Sequence, residues 1–486
     1  MAAGAAGMPE VRSVVVVGLG RSGSAAVELL TDRCDAKVTA VDDKPAAQLS
    51  GVDELRAAGV ELVLGDAAAL PDDAELVVRS PGVPDDHAVL RSARDRGLPV
   101  WSEVELAFRF LDNPVVGITG TNGKTTTTEL TGAMVRAANL PCAVAGNVGN
   151  ALARLPRDVE SGAIVVVELS SFQLQDIEAF RADVGVLLNI TEDHLDRHGS
   201  MAAYTAAKLR LFENQDAACV AVLDRDDRRV RQAAVPGTGL RVWYSCRAAA
   251  RESLHAGVDG GVLWLDESLF GAATPARVAS RSGRRIALCP VAELALKGEH
   301  NLGNALAAAA AAAAIGVPLA AIQTTLRTFP GIKHRLQVVG TVAGVTYVND
   351  SKATNVDAAV KALTAYHGRV QLILGGSLKG AAFDELVRAT EGRVERVLLI
   401  GEAAGQLRDA FDQRAAHAPG TATPYVVVGD LQTAVREASR RATAGSVVLL
   451  SPACASFDQY RNYEERGEHF IELVEELRRH EMDAPS

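Results

Sequence analysis

The densest chemistry in this sequence is Gly117-Ile-Thr-Gly120-Thr121-Asn122-Gly123-Lys124-Thr125-Thr126, set between an apolar run and a helix-like segment. Glycines there let backbone N–H groups converge on phosphate, Lys124 neutralises β/γ charge, and the Thr125 hydroxyl can bind magnesium. The standard spacing puts a glycine where Ile118 stands, so this reads as a variant phosphate loop for ATP. A second pattern, Gly18, Gly20 and Gly23, follows a strand-like run, with Asp42 near the end of the next. It reads as a diphosphate-binding turn in which Arg21 and Ser22 add donors and Asp42 holds a ribose or base edge; glycines needed only for tight strand-to-helix packing are the alternative. Ser80-Pro81-Gly82 ends a neighbouring run.

Further polar clusters also follow apolar runs. Glu168 opens ELSSFQL, as a carboxylate facing the phosphate loop or as a solvated or capping glutamate. Thr191-Glu-Asp-His194 begins a loop, DHLDRH, that is open to metal ligation or to a surface histidine. Lys208, in YTAAKLRLF, reads on its own spacing as a helix-surface lysine. Asn301 and Asn304 precede an alanine-rich helix, and capping is the alternative role for one of them. His334-Arg335 offers a cation for bound phosphate, or a partner for a surface acid. Asn349-Asp350-Ser351-Lys352-Ala-Thr354-Asn355 is too dense in polar groups for a bland turn, Lys379 follows Gly375-Gly376, and Ser451-Pro-Ala-Cys454-Ala-Ser456-Phe457-Asp-Gln-Tyr460 follows the last apolar run. Cys454 has no histidine near it in sequence and reads as a small buried hydrophobe.

Such residues need strand ends to hold them. Near-continuous β-branched runs at 13–20, 37–43, 75–82, 114–123, 163–171, 184–194, 345–352, 370–377, 396–402 and 446–453 alternate with helix-like segments. That is the mark of an α/β protein with parallel sheets covered on both faces, where ligands bind beyond the strands' carboxyl ends. LDNP (111–114) and FPGIKHR (329–335) suggest boundaries, giving three domains at 1–112, 113–330 and 331–486, the outer two Rossmann-like and the central one ATPase-like. The stretch 224–298 shows no chemistry and is expected to complete the central domain with antiparallel strands, including a hairpin at 258–265. A formal charge of −10 argues against nucleic acid as partner. Six scattered cysteines, none in CxxC spacing, fit a reducing, cytoplasmic compartment, and the N-terminus lacks a signal-peptide pattern. The uncharged stretch 302–322 is alanine-rich and interrupted by glycine and proline, so a soluble helix is expected, not membrane insertion.

ATP and several strand-end clusters on three domains suggest a ligase layout, and the chain resembles the Mur ligase family of peptidoglycan synthesis along nearly its whole length. The resemblance rests on GITGTNGKTT, GNVGN (146–150), ELSSFQL, NITEDHLDRH, YTAAKLRLF, HNLGNALAA, GIKHR, NDSKATN and SPACASFDQY followed by Arg461-Asn-Tyr463-Glu-Glu-Arg466-Gly467. NDSKATN and SPACASFDQY are most similar to the members that add D-glutamate. The resemblance implies a cytoplasmic, monomeric enzyme joining D-glutamate to UDP-N-acetylmuramoyl-L-alanine through an acyl phosphate. By similarity, Gly120, Thr121, Asn122, Gly123, Lys124, Thr125, Thr126, Asn304, Arg335 and Asp350 would serve ATP, with Asp350 at the ribose. Thr125 and Glu168 would bind a first Mg2+, His194 and Lys208 a second, Lys208 as a carbamate formed with CO2; Lys124, His194, Lys208 and Arg335 would be the catalytic set. Gly20, Arg21, Ser22, Asp42, Asp43, Ser80, Pro81, Gly82 and Asn147 would hold the UDP-sugar, and Lys352, Thr354, Lys379, Ser456, Phe457 and Tyr463 the D-glutamate.

Two departures limit the resemblance: Ser377 stands where relatives carry an acid, and Ala381-Ala382-Phe383 where they carry ADF, so nothing is carried over to Ser377 or Ala382. Among competing classes, a nicotinamide dehydrogenase leaves the GKT loop without purpose, and a P-loop motor leaves NDSKATN and the first domain unexplained. A folate polyglutamate ligase should lack the N-terminal diphosphate domain.

Overall fold

The computed structural model describes residues 7–49, 51–65, 69–147, 150–247, 254–273, 282–296, 298–366, 369–377, 382–418 and 420–483. They fall into two compact units, residues 1–329 and 330–486.

The first unit holds two sheets. Strands β1 (Ser13–Val17), β2 (Lys37–Asp42), β3 (Glu61–Leu64), β4 (Leu76–Arg79) and β5 (Val100–Ser102) pair in the order β3-β2-β1-β4-β5, all parallel. The valines of β1 are fully enclosed, as a central strand covered on both faces requires. The order reverses at β1, and the glycine turn between β1 and the helix Arg21–Arg33 lies at that switch point.

The second sheet comprises β6 (Val115–Thr119), β7 (Cys142–Gly146), β8 (Ile164–Glu168), β9 (Val184–Leu187), β10 (Val220–Asp224), β11 (Leu240–Ser245), β12 (Ala256–Asp259), β13 (Val262–Asp266) and β14 (Arg285–Pro290). They run in the order β14-β13-β12-β11-β10-β9-β6-β8-β7. From β7 to β12 the pairing is parallel; only β12–β13 and β13–β14 are antiparallel. The stretch 224–298 thus extends the parallel sheet before it turns back, a correction to a wholly antiparallel completion. The phosphate loop again follows a central strand, β6.

The helix Glu299–Ala314 packs against the helix Lys124–Ala137 and over this sheet. Residues 305–314, all alanine except Leu306, are completely buried. Small side chains let two helices and a sheet approach closely, so these alanines set spacing as well as favour helix. The helix is N-capped by Gly298, so neither Asn301 nor Asn304 is the cap. Among the described residues, no helix is long and apolar enough to cross a membrane.

Polar contacts tie the two sheets of this unit together. Glu105 is fully buried and accepts from the backbone N–H groups of Glu178, Ala179 and Phe180 at 2.8–3.1 Å and from Arg109. Arg79, equally buried, reaches Asp176 at 2.9 Å and also pairs with Asp85.

The second unit carries β15 (Gln337–Val342), β16 (Val345–Asn349), β17 (Val370–Gly375), β18 (Val394–Ile400), β19 (Tyr425–Gly429) and β20 (Val447–Leu450), in the order β15-β16-β20-β17-β18-β19. All pairs are parallel except β15–β16. The carboxyl ends of β16, β20 and β17 are neighbours, which gathers the three polar clusters that follow them. The helix Tyr463–Asp483 closes the chain.

Candidate active site

In the first unit, a cavity of about 480 Å³ lies above β1, β2 and β4. All nine residues expected at a UDP-sugar line it: Gly20, Arg21, Ser22, Asp42, Asp43, Ser80, Pro81, Gly82 and Asn147. Asp42 accepts from the backbone N–H of Leu19 at 2.6 Å and of Lys44 at 2.9 Å, so it shapes the turn. The Ser80 hydroxyl donates to the Gly18 carbonyl at 2.7 Å. Gly23 is required for packing, since a Cβ there would lie 1.8 Å from the Gly18 carbonyl oxygen, which is the packing alternative for the glycine pattern. Sequence reasoning passed over His87 and Gln173, which also line the cavity. His87 binds Asp43 through Nε2 at 3.0 Å and accepts the Val89 N–H at Nδ1. Its place before a helix was the available signal, as an N-cap.

The phosphate loop turns at Gly120 and at Gly123, which caps the helix Lys124–Ala137 with φ +85°. A Cβ on Gly123 would lie 2.2 Å from Asn304 Oδ1, so Asn304 sits directly against the loop. Asn304 also receives a long hydrogen bond from Thr127 at 3.5 Å and donates to Asn301 at 3.1 Å. Asn189, not singled out from sequence, clamps the loop by accepting the Asn122 N–H at 2.8 Å and donating to the Asn122 carbonyl at 3.0 Å. Thr121 bonds Tyr204 at 3.1 Å and the backbone of Thr191, while Thr125 and Thr126 are buried in the first turn of the helix.

Lys208 departs most from its sequence reading. It is 1% exposed, not on the helix surface. Its Nζ donates to the Gly120 carbonyl at 2.8 Å, the same oxygen that Lys124 Nζ reaches at 2.9 Å. Burial, reinforced by the Lys124 charge, pushes the Lys208 pKa well below that of an ordinary lysine. Two ammonium groups on one carbonyl in a dry site repel, so the more buried amine gives up its proton more readily than an ordinary lysine. Glu168, at the end of β8, is also buried and accepts from Asn147 Nδ2 at 3.1 Å. Asn147 therefore lines the cavity while its side chain binds the carboxylate beside the phosphate loop; its own carbonyl accepts from Arg21 at 3.0 Å. His194 is half exposed, in a left-handed conformation (φ +52°), edge-on to Phe172 at 5.0 Å. Arg197 from the same loop covers Phe172 and donates to the Val83 carbonyl at 2.9 Å.

Magnesium prefers hard oxygen donors and is commonly held by one or two carboxylates plus substrate phosphates. Glu168 and the Thr125 hydroxyl are donors of that kind. Among the described residues, no three His, Cys, Asp or Glu side chains gather into a group able to hold a metal by themselves.

In the second unit, Asp350 is buried, accepting from Ser451 Oγ at 2.7 Å and from the Leu336 N–H at 3.1 Å. Burial lifts its carboxyl to about 6. Both oxygens thus serve the fold, anchoring the loop that carries Arg335. His334 is 3% exposed and bonded to Asn349 at 3.0 Å, yet its Nε2 lies 3.7 Å from the carboxylate of the partly exposed Glu468, the pairing with a surface acid that the sequence left open; a Cβ on Gly467 would lie 2.1 Å from its Nδ1. Lys352 lies over the Tyr463 ring at 5.9 Å, and Ser351 Oγ donates to the Tyr463 carbonyl. Thr354 is half-buried, Ser456 is buried, and Phe457 is 69% exposed. Cys454 is buried in the apolar core, as its sequence suggested. Lys379 and Ala381 lie outside the described residues. Ser377, where the family pattern breaks, accepts the Asp458 N–H at 2.8 Å and so fastens the β17 end to the loop after β20.

Three family profiles match: the Mur ligase MurD-like N-terminal domain over residues 12–102, the Mur ligase middle domain over 118–312, and the Mur ligase glutamate ligase domain over 334–454. Full-length relatives agree. The UDP-N-acetylmuramoylalanine–D-glutamate ligase of Pelotomaculum thermopropionicum is 41% identical, covering 96% of this chain and 98% of its own. That of Anaeromyxobacter dehalogenans is 44% identical over 97% and 99%. The chain belongs to the Mur ligase family. The Mur ligase fold, three α/β domains, recurs at low identity in the MurF ligase from Thermotoga maritima in complex with ADP (TM-score 0.55, 16% identity, 97% of this chain and 100% of that one). It recurs also in UDP-N-acetylmuramate–alanine ligase of the same organism (TM-score 0.54, 17% identity, 96% and 100%). As a Mur ligase, the chain is an ATP-dependent amide-bond-forming enzyme.

Proposed function

We propose that this Mur ligase joins D-glutamate to UDP-N-acetylmuramoyl-L-alanine in the cytoplasm, with ATP cleaved to ADP and phosphate. Relatives 41–44% identical along almost the whole chain bear that activity in their names. The geometric observation that carries the reading is Asn147, which connects the 480 Å³ cavity to Glu168 and hence to the phosphate loop. A UDP-sugar seated there with its diphosphate at the Gly18–Ser22 turn extends its alanyl carboxylate toward the ATP γ-phosphate.

In this reading residues 1–112 bind the UDP-sugar, 113–330 the ATP and 331–486 the amino acid. The alanyl carboxylate attacks the γ-phosphorus, ADP leaves, and an acyl phosphate forms. The neutral amine of D-glutamate then adds to the activated carbonyl, loses its proton, and the tetrahedral intermediate expels phosphate. Lys124 and the loop N–H groups hold the transferring phosphate where its charge develops. Magnesium, when bound, screens the repulsion between carboxylate and phosphates; Thr125, Glu168, His194 and Lys208 would hold it. Lys208 would do so as a carbamate: its unprotonated amine would add to CO2 and release one proton to solvent, leaving an oxygen anion while keeping one N–H for the Gly120 carbonyl. Asn304 and Arg335 serve ATP, and Asp350 keeps Arg335 placed. Lys352, Thr354, Lys379, Ser456, Phe457 and Tyr463 frame D-glutamate.

The test is a panel of amino acids offered with ATP and UDP-N-acetylmuramoyl-L-alanine, following phosphate release. Release that requires both UDP-sugar and D-glutamate is expected; release driven equally by L-glutamate, or by another amino acid instead, refutes the assignment.

A further inference from the structure

Arg466 lies near the start of the helix Tyr463–Asp483 and is 1% exposed. A guanidinium carries five N–H donors in a rigid fork, and here five hydrogen bonds are made. Nε donates to Ser351 Oγ at 3.0 Å; Nη1 to the carbonyls of Ala455 at 3.2 Å and Gly375 at 3.5 Å; Nη2 to those of Ser351 at 2.9 Å and Cys454 at 3.1 Å. These acceptors belong to the segments ending β16, β17 and β20, the three neighbouring strands whose ends carry Lys352, Ser377 and Ser456. Gly376 is fitted to the same point: a Cβ there would lie 2.1 Å from the Ala455 carbonyl oxygen and 3.0 Å from Arg466 Nη1.

All five acceptors are uncharged. Among the described residues Arg466 has no ion pair, and nearby acids are engaged elsewhere: Asp350 by Ser451, Glu465 by Arg461, Glu468 by Lys333. Asp458 is the one carboxylate that acts on the guanidinium, from a position in which it binds Ser377 and the Glu402 N–H. Burial draws Arg466 down only to about 10, so it stays charged at neutral pH. A buried cation without a carboxylate in contact is costly, and its field is spent on whatever binds at the mouth of these strands.

The geometry points to Arg466 as the positioning residue of the acceptor pocket: it fastens three strand ends into one frame and supplies a fixed positive charge beneath it that selects an anionic amino acid. This rests on the reading of residues 331–486 as the acceptor domain and adds to it a source of specificity that does not itself touch the substrate.

The experiment uses the full chain with Arg466→Met and Arg466→Lys, and compares D-glutamate with its amide, D-glutamine, in steady-state phosphate release. Arg466→Met should lower the preference for D-glutamate over D-glutamine at least 10-fold and raise the D-glutamate KM, with the UDP-sugar KM within about 3-fold of the parent. Arg466→Lys keeps the charge but not the fork; it should raise the D-glutamate KM about 10-fold and retain most of the preference. An unchanged preference in Arg466→Met overturns the electrostatic role. An unchanged D-glutamate KM in Arg466→Lys overturns the positioning role, and decides alone if the methionine variant does not fold. If the parent prefers a different acceptor, the D-glutamate reading fails, and the same variants are read with that acceptor: an anionic one keeps Arg466 in play under the same criteria, a neutral one overturns it.

Discussion

Lys208 and Arg466 are both cationic side chains sealed from water, one in each unit, and they are held in opposite ways. Among the described residues Lys208 has one hydrogen-bond acceptor, shared with Lys124, and its pKa is driven well below an ordinary lysine's. Arg466 has five acceptors and remains charged. The difference follows from the groups: an ammonium loses its proton when buried beside another cation, whereas a guanidinium does not. One burial therefore favours loss of a proton and the other keeps a permanent charge.

Substitutions at the first site should break that contrast most severely. Lys208→Ala is expected to lose about 10²-fold or more in kcat, as removal of a metal ligand does, and short-chain carboxylates should partly restore it. Lys208→Arg puts a permanent cation in its place and cannot become a carbamate, so it should be as inactive as the alanine variant and gain nothing from carboxylates. Phosphate-release assays with and without acetate decide both.

Next in size, Gly123→Ala combines a left-handed backbone with an overlap on Asn304. About 2 kcal/mol of strain, or roughly a 30-fold rise in the ATP KM with UDP-sugar binding preserved, is expected. Titration of each ligand by calorimetry separates the two. Arg21→Ala should do the reverse, raising the UDP-sugar KM about 10-fold through loss of a donor in the cavity while the ATP KM holds.

The last effect concerns pH and is read in stability, not in turnover. Asp350 titrates near 6 in the folded chain against an ordinary 3.8, so the protonated carboxyl is the form the fold prefers. Its contribution is fully present below about pH 3.8 and is lost as pH rises through 6. Asp350→Asn, which preserves the shape without the charge, should gain in melting temperature relative to the parent between pH 5 and 7.5. The ceiling is on the order of 3 kcal/mol. A difference that does not grow with pH would show the carboxylate to be compensated.

What was legible in the sequence was local. The two glycine turns could be read because positive φ and close helix approach leave their mark in consecutive residues. The valine runs announced β1, β6 and β8, whereas β3 is short and partly exposed and β5 is brief; β10, as long and apolar as β1, and the edge strand β19, with three consecutive valines, were missed because no chemistry-bearing cluster follows them. Asn304 was read as a possible cap because the helix start lies further back, at Gly298. Lys208 and Arg466 carry no local signal of their burial; only the tertiary fold brings the Gly120 carbonyl to one and three strand ends to the other.

The buried alanine-rich stretch 305–314 bears on how such a gene can drift. With every position enclosed between the phosphate-loop helix and the sheet, most codon changes there enlarge a side chain that has nowhere to go. Overpacking of that kind costs about 1–3 kcal/mol and displaces neighbours, and the neighbour is the helix that begins at Lys124. A segment monotonous enough to pass for filler should therefore be among the least forgiving in the protein, its variants failing in nucleotide handling although none of its side chains reaches a ligand.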